Sequence, residues 1–282
     1  MRQAIVPLPK ACIFCGVRAK LTREDFFPVW FRQLYPRPED FATRRINAEG
    51  SWNEVDPQTG KLITKIAKSR MAGSGDLADQ TLRVVCASCN NGWMSRLQEA
   101  ARPHLLPYIQ GSWPRLSPRT RERISSWAAM FAMVTEFANP QRVAIPAIER
   151  KVFSHDLRPP IGSYIWVGRL AGDLPYWFHQ RALRMAEDSL DVGPVTSQIT
   201  TITLGHLLLQ VYTSTSDLLA FDPKARAKEQ GLVLIWPASA KPVRASDLPV
   251  RDAEQVRDLA YTHLTDAVLP GVATVSRPMD PF

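Results

Sequence analysis

Four cysteines, and no others, stand in this chain of 282 residues as two C-x-x-C pairs, Cys12-Ile13-Phe14-Cys15 and Cys86-Ala87-Ser88-Cys89. A C-x-x-C turn aims two thiolates at one ion while the amides of the turn support the sulfurs. Two such turns supply the four soft ligands of a closed tetrahedral Zn²⁺ site. Gly16, directly after the first pair, suits the tight backbone of a knuckle. A pair of disulfides needs an oxidising compartment, and a redox C-x-x-C occurs once, within a thioredoxin-like βαβ pattern. Cys12, Cys15, Cys86 and Cys89 are therefore read as ligands of a structural zinc. Four protein sulfurs leave no open position for water, so any chemistry has to lie elsewhere.

The 70 residues between the pairs do not read as one helix. Phe26 to Trp30 is apolar, and Pro28 with Tyr35-Pro36 brackets a short helix from Pro28 to Leu34. A polar stretch, 37–60, ends in the turn residues Asp56 to Gly60 and leads to a partly alternating strand, Lys61 to Ala67. Residues 71–79 read as a loop before a strand from Thr81 to Val85. Asn90 to Ala101 then reads as a helix that stops before Pro103. The order of knuckle, hairpin and helix N-terminus is the treble-clef arrangement of small zinc modules.

Loop chemistry from Gly111 to Pro118 marks a boundary, with Ser117 and Pro118 as cap and first position of a helix. The expected organisation is a zinc-stapled module at 1–112 and an α+β domain at 113–282. In the second part Ile124, Trp127, Ala128, Phe131, Val134 and Phe137 form the apolar face of a helix ending at Asn139-Pro140. Strands are expected at Ser163 to Gly168, Ser197 to Leu204, His206 to Tyr212 and Gly231 to Trp236. The middle two are joined at Gly205, and a last helix runs from Ala253 to Leu264.

With 45% hydrophobic and 22% charged residues, the composition is that of a folded globular chain. No run of about 20 apolar residues spans a membrane, and the first residues carry no apolar leader. A cytoplasmic protein without a membrane partner is expected. The net charge of +8 is uneven: residues 1–113 carry 16 Lys+Arg against 10 Asp+Glu, and the remainder 19 against 17. A polyanion would meet the front part first. Arg23, Arg44, Arg45, Lys65, Lys68, Arg70, Arg83 and Arg96 are candidate phosphate contacts there.

Two polar clusters flank the cysteines: Arg23-Glu24-Asp25 after the first pair, and Asn90 directly after the last. If both pairs meet at one ion, these clusters lie on neighbouring elements. A carboxylate and an amide oxygen are hard ligands suited to Mg²⁺ or Mn²⁺, which points to a second metal site unlike the first. Each cluster also has a plain structural reading, as a solvated turn or a helix cap. Trp30 and Trp93 read as core residues of a small module. His104, His155, His179, His206 and His263 are scattered, with no metal-ligand spacing between them. Gly73-Ser74-Gly75 lacks the ending of a phosphate loop, and no nucleophile elbow is present.

Cys12-x-x-Cys15, then Thr22-Arg23-Glu24-Asp25-Phe26-Phe27-Pro28-x-Trp30, then Val85-Cys86-x-x-Cys89-Asn90-x-Gly92-Trp93-Met94 resembles the HNH or His-Me finger endonucleases. The likeness is to their four-cysteine zinc, endonuclease VII-like type, and it covers about the first hundred residues. The resemblance implies a treble-clef ββα-metal module in which Glu24 and Asn90 hold a Mg²⁺ or Mn²⁺ ion on the scissile phosphate. Position 25 would then hold the base. The implied function is hydrolysis of phosphodiester bonds in DNA, with RNA as the other candidate substrate; a junction-resolving activity would require paired sites and hence a homodimer. Position 25 is aspartate where the family has histidine, and an ordinary aspartate is a weak base. Three readings stand: Asp25 serves as base or third ligand, the module grips nucleic acid or a protein partner without cutting, or position 25 is not the family's histidine position.

Overall fold

The computed structural model describes residues 9–35, 49–55, 62–68, 80–138, 143–184, 195–215 and 222–262. The first knuckle is closed by its own backbone: Gly16 N–H donates to Cys12 O at 2.9 Å and Cys12 N–H to Val17 O at 3.0 Å. Gly16 sits at φ +73°, a left-handed conformation that penalises any Cβ. Strand β1 (Leu21–Asp25) follows, then helix α1 (Val29–Leu34) with Pro28 as its N-cap. Strands β2 (Glu49–Val55) and β3 (Leu62–Lys68) pair antiparallel, and β4 (Thr81–Cys86) returns to β1. In that ribbon Leu21 faces Cys86 and Asp25 faces Thr81, with one extra residue on β4 opposite Arg23. The expected turn at 56–60 and loop at 71–79 lie outside the described residues.

After β4 comes one helical turn, α2 (Ala87–Cys89), then a wider π-type stretch, Asn90–Met94, then α3 (Ser95–Ile109). Gly92, at φ −93° and ψ −110°, breaks the helical path inside the π stretch. The expected stop before Pro103 does not occur: α3 carries Pro103 and Pro107 inside it. An interior proline costs about 3 kcal/mol through its lost N–H and ring clash. Burial of Leu97, Ala101, Leu105, Tyr108 and Ile109 on one side of α3 offsets that cost, at about 1.5–3 kcal/mol for each large apolar side chain.

Helix α4 (Pro118–Thr135) starts as the sequence suggests, with Ser117 Oγ accepting from Thr120 N–H at 3.1 Å and Pro118 in the first turn. A 3₁₀ turn, Glu136–Ala138, extends it, and α5 (Ala147–Asp156) follows. Next come β5 (Ser163–Leu170), β6 (Tyr176–Arg184), β7 (Val195–Leu204), β8 (Leu207–Ser214), α6 (Pro223–Glu229), β9 (Val233–Trp236), β10 (Val250–Arg251) and α7 (Ala253–Thr262). The sheet runs in the order β10-β5-β8-β7-β6, with β9 sharing the edge of β5. β8 is buried on both faces. Leu209 and Val211 join Trp127 and Phe131 of α4, whereas Leu208 and Tyr212 join Ala227 of α6 and Val256 of α7. The chain is thus α+β, with helices on both sides of a largely antiparallel sheet.

One core runs through the expected boundary at 112/113. Phe27 packs at a tilt on Phe131 of α4 at 5.5 Å, Phe26 meets Phe178 of β6 edge-to-face at 5.1 Å, and Phe14 lies 6.4 Å from Phe153 of α5. The β7–β8 turn is tied to the end of α3, where Ile109 O accepts from His206 N–H at 3.0 Å and from Tyr35 Oη at 3.1 Å. Gly205 makes this contact possible, because a Cβ there would lie 2.4 Å from Ile109 O and 2.2 Å from Tyr35 Oη. Its φ of +56° also disfavours a side chain. Gly205→Ala is expected to destabilise the protein by about 2 kcal/mol or more, read as a lowered urea midpoint; an unchanged midpoint would show that the turn yields freely.

Candidate functional site

The strand pairing that carries Cys86 to Leu21 also carries the second cysteine pair to the first. Ile13 N–H donates to Val84 O at 3.0 Å, clamping the knuckle against β4. The Sγ atoms of Cys12, Cys15, Cys86 and Cys89 all lie within 4.8 Å of one another, and none is in a disulfide. Cys15 and Cys86 are 3.7 Å apart. That matches the edge of about 3.8 Å expected for a tetrahedron with Zn–S bonds of about 2.3 Å. Burial pushes Cys12 up, and hydrogen bonds from the backbone of Cys15, Cys86 and Phe14 bring it down to about 7. Burial and the neighbouring Cys12 charge push Cys89 far upward, and burial raises Cys15. One thiolate is accommodated here but four are not, unless a cation sits between them. The group is able to hold a metal ion such as zinc. Among the described residues it is the one cluster of three or more His, Cys, Asp or Glu side chains close enough to do so.

Asn90 ties the helix start to β1. Its Nδ2 donates to Thr22 Oγ1 and to Arg23 O, both at 3.1 Å, and the Thr22 hydroxyl in turn donates to Val85 O at 3.1 Å. A carbonyl only accepts, so the amide's NH₂ must face Arg23 O, which leaves Oδ1 as the atom able to take a hard cation.

Glu24 is 6% exposed and its Oε1 accepts from Gln98 Nε2 of α3 at 3.0 Å. Burial, with the Asp25 charge added, raises its carboxyl to about 7 even though the Gln98 bond opposes the shift. Asp25 pairs with Arg32 of α1 at 3.2 Å. Glu24 and Asp25 line a narrow cleft with Phe26, Pro28, Gln98 and five residues of α4: Trp127, Met130, Phe131, Val134 and Thr135. The apolar wall that desolvates Glu24 therefore comes from beyond residue 112.

Of the expected phosphate contacts, Arg23, Arg83 and Arg96 are exposed, on β1, β4 and α3. The ribbon register puts Arg23 opposite the extra residue at Arg83–Val84. Lys65 and Lys68 lie on β3, paired by backbone with Trp52 and Glu49. Arg44, Arg45 and Arg70 lie outside the described residues. Trp30 and Trp93 behave as core: Trp30 is 7% exposed under the Arg102 guanidinium, and Trp93 packs edge-on to Phe14 at 4.8 Å. The partners Thr22, Arg32 and Gln98 were not singled out from the sequence. Thr22 opens the quoted motif without a role of its own, and Gln98 stands four residues after Met94, hence on the same face of the helix. Among the described residues no helix is long and apolar enough to cross a membrane. Compared with known proteins, the chain matches no family model, no curated protein and no solved structure.

Two measurements follow from the geometry. Mercurial titration of the thiols is expected to release one equivalent of metal per chain, and Cys89→Ser to lower both metal content and melting temperature; a metal-free protein of unchanged melting temperature would exclude the cluster as a metal site. The second concerns Glu24. Its folded pKa lies above the unfolded value, so the folded state holds the extra proton between about pH 4.5 and 7 and loses stability as pH rises through that window. Without added divalent metal, Glu24→Gln is expected to be more stable than the parent at pH 8, by about 1–3 kcal/mol, and equal to it at pH 4.5. A variant less stable at pH 8 would mean that the carboxylate is compensated there.

Proposed function

We propose that the protein is a divalent-metal-dependent endonuclease acting on DNA, with residues 1–112 as a zinc-stapled HNH-like module and residues 113–282 as the domain that walls its cleft. The observation that carries this reading is that an acidic pair and an amide are tied to one strand, β1, which runs on from the first cysteine pair and is paired with the strand that ends at Cys86. Glu24, one residue before the end of β1, lies in a desolvating cleft, and Asn90, one residue past Cys89, is bonded to the same strand with its Oδ1 left over. A buried carboxyl with a pKa near 7 and no ion pair among the described residues suits a group that ionises when a metal arrives. The knuckle, two-stranded ribbon and following helix occur in the order of a treble clef.

In this reading Glu24 and Asn90 hold Mg²⁺ or Mn²⁺, which when bound would neutralise charge developing on the phosphate. Water adds to phosphorus, the bond to the leaving oxygen breaks, and the water's proton passes to Asp25. Arg32 keeps the Asp25 carboxylate in place, and Arg23, Arg83 and Arg96 offer cations to the backbone on either side. The thiol cluster takes no part beyond fixing β1 against the helix start.

One observation favours a second reading, a module that grips nucleic acid without cutting. Asp25 is ion-paired to Arg32, and it stands where the resemblance implies a histidine base.

Zinc-loaded protein is to be incubated with supercoiled plasmid and with a four-way junction, in Mg²⁺, Mn²⁺ or EDTA. Metal-dependent nicking is expected, and Glu24→Ala is expected to reduce it by at least about 10²-fold with zinc content unchanged. Salt-sensitive binding with no nicking in either metal, and none in Asp25→His, would support the second reading instead. Normal cutting by Glu24→Ala would remove Glu24 from the site.

A further inference from the structure

Where α4 begins, the fold opens a second and much larger concavity. It encloses about 730 Å³ and is lined by Pro118, Arg119, Glu122 and Arg123 of α4, by Arg158, and by the segment Trp236–Ala240. That volume suits a nucleotide-sized group, unlike the narrow cleft at Glu24. Three guanidinium groups meet one carboxylate, so the groove carries a net positive charge. Arg119 and Arg123 form no ion pair among the described residues. The Arg158–Glu122 pair is long, at 3.8 Å, and its side chains are 68% and 47% exposed, so it holds Arg158 only weakly. The first turns of α4, at its positive end, line the groove.

The walls are built rather than draped. Arg121, 1% exposed, reaches across under the groove and donates to Ser239 Oγ at 3.2 Å, to Lys241 O at 2.7 Å and to Ser239 O. Leu116 and Val243 exchange backbone hydrogen bonds at 2.9 and 3.1 Å. On the other side Ser126 Oγ donates to Leu157 O, which fixes the residue before Arg158. Arginines on a fixed backbone and an indole wall are the parts of a site that pairs phosphates with a stacked base.

The groove is also joined to the first site. His104 of α3 meets Thr120 of α4 through Nδ1 and Oγ1 at 3.1 Å. Burial lowers its pKa, and the charges of Arg119 and Arg123 lower it further, so both arginines lie within electrostatic reach of α3. From Ser95 to His104, α3 advances about 14 Å, with exposed Arg96 near its start.

We propose that the groove lined by Arg119, Arg123, Arg158 and Trp236 is a second nucleic-acid site, taking an unpaired strand with its phosphates on the arginines and a base on Trp236. It rests on the nuclease or nucleic-acid-binding reading above and extends it. The strand leaving the Glu24 cleft runs along α3 into the groove. A duplex has no unpaired base to offer Trp236 and binds there less well.

The test is fluorescence anisotropy of a labelled single strand of about 12 nucleotides, across a salt series and without added Mg²⁺ or Mn²⁺. The variants are Arg119→Ala/Arg123→Ala/Arg158→Ala and, separately, Trp236→Leu, each checked for melting temperature. Losing three phosphate contacts on a single strand is expected to flatten the slope of log affinity against log salt by about 2, because each contributes about 0.7. Trp236→Leu is expected to weaken binding by about 5- to 100-fold at an unchanged salt slope, because stacking releases no counterions. Parent-like slope and affinity in the triple arginine variant, whose side chains are at the surface, would overturn the groove and leave the nuclease reading standing. Conversely, a flattened slope in a protein that never nicks DNA would keep the groove and overturn the nuclease. A parent that binds neither single strand nor duplex would overturn both.

Discussion

Four thiols cannot share a space less than 5 Å across as anions unless a cation lies among them. Bringing Cys86 back to Cys15 closes a loop of 70 residues, at an entropic cost of about 4 kcal/mol. Metal binding at sites of this kind is worth about 10–16 kcal/mol, so an ion could meet that cost with a wide margin. Much else at this end of the molecule follows from the closure. β1 must lie against β4, the chain must turn into a helix directly after Cys89, and Asn90 must arrive beside Thr22 and Arg23.

The ion does not finish the site. Glu24 owes its buried state to α4, whose Trp127, Met130, Phe131 and Val134 close over the end of β1. The aromatic contacts of Phe27 with Phe131 and of Phe26 with Phe178 hold that helix and the sheet against the ribbon. Removing residues 113–282 would therefore expose Phe26 and Phe27 and return Glu24 to water. The second part of the chain thus bears on Glu24 by excluding solvent from it, through the apolar residues of α4.

Much was legible from spacing alone, because the signals were local. The two C-x-x-C pairs, the Ser117-Pro118 cap, the apolar face of α4 and the turn at Gly205 each depend on residues within a few positions of one another. Signals that depended on distant partners were misread or missed. Pro103 reads as a stop, but packing of the opposite side of α3 overrides it and Pro107 alike. β2 was hidden in a polar stretch, since a strand of sequence EGSWNEV shows little alternation of apolar residues. β6 and α5 likewise left no clean period.

Residue chemistry therefore determined, by itself, that the chain carries a four-sulfur site, that an acidic pair and an amide flank it, and that α and β elements follow. Thiolate softness and carboxylate hardness are properties of the side chains wherever they stand. Only tertiary structure decided what those groups experience: Glu24 pushed toward neutrality by a wall 100 residues away, Asp25 taken up by Arg32, and Asn90 spending its amide protons on β1. It also decided that Arg119, Arg123 and Arg158 share one groove with Trp236. Burial and Coulomb interactions act through space, and a sequence lists neighbours only along the chain.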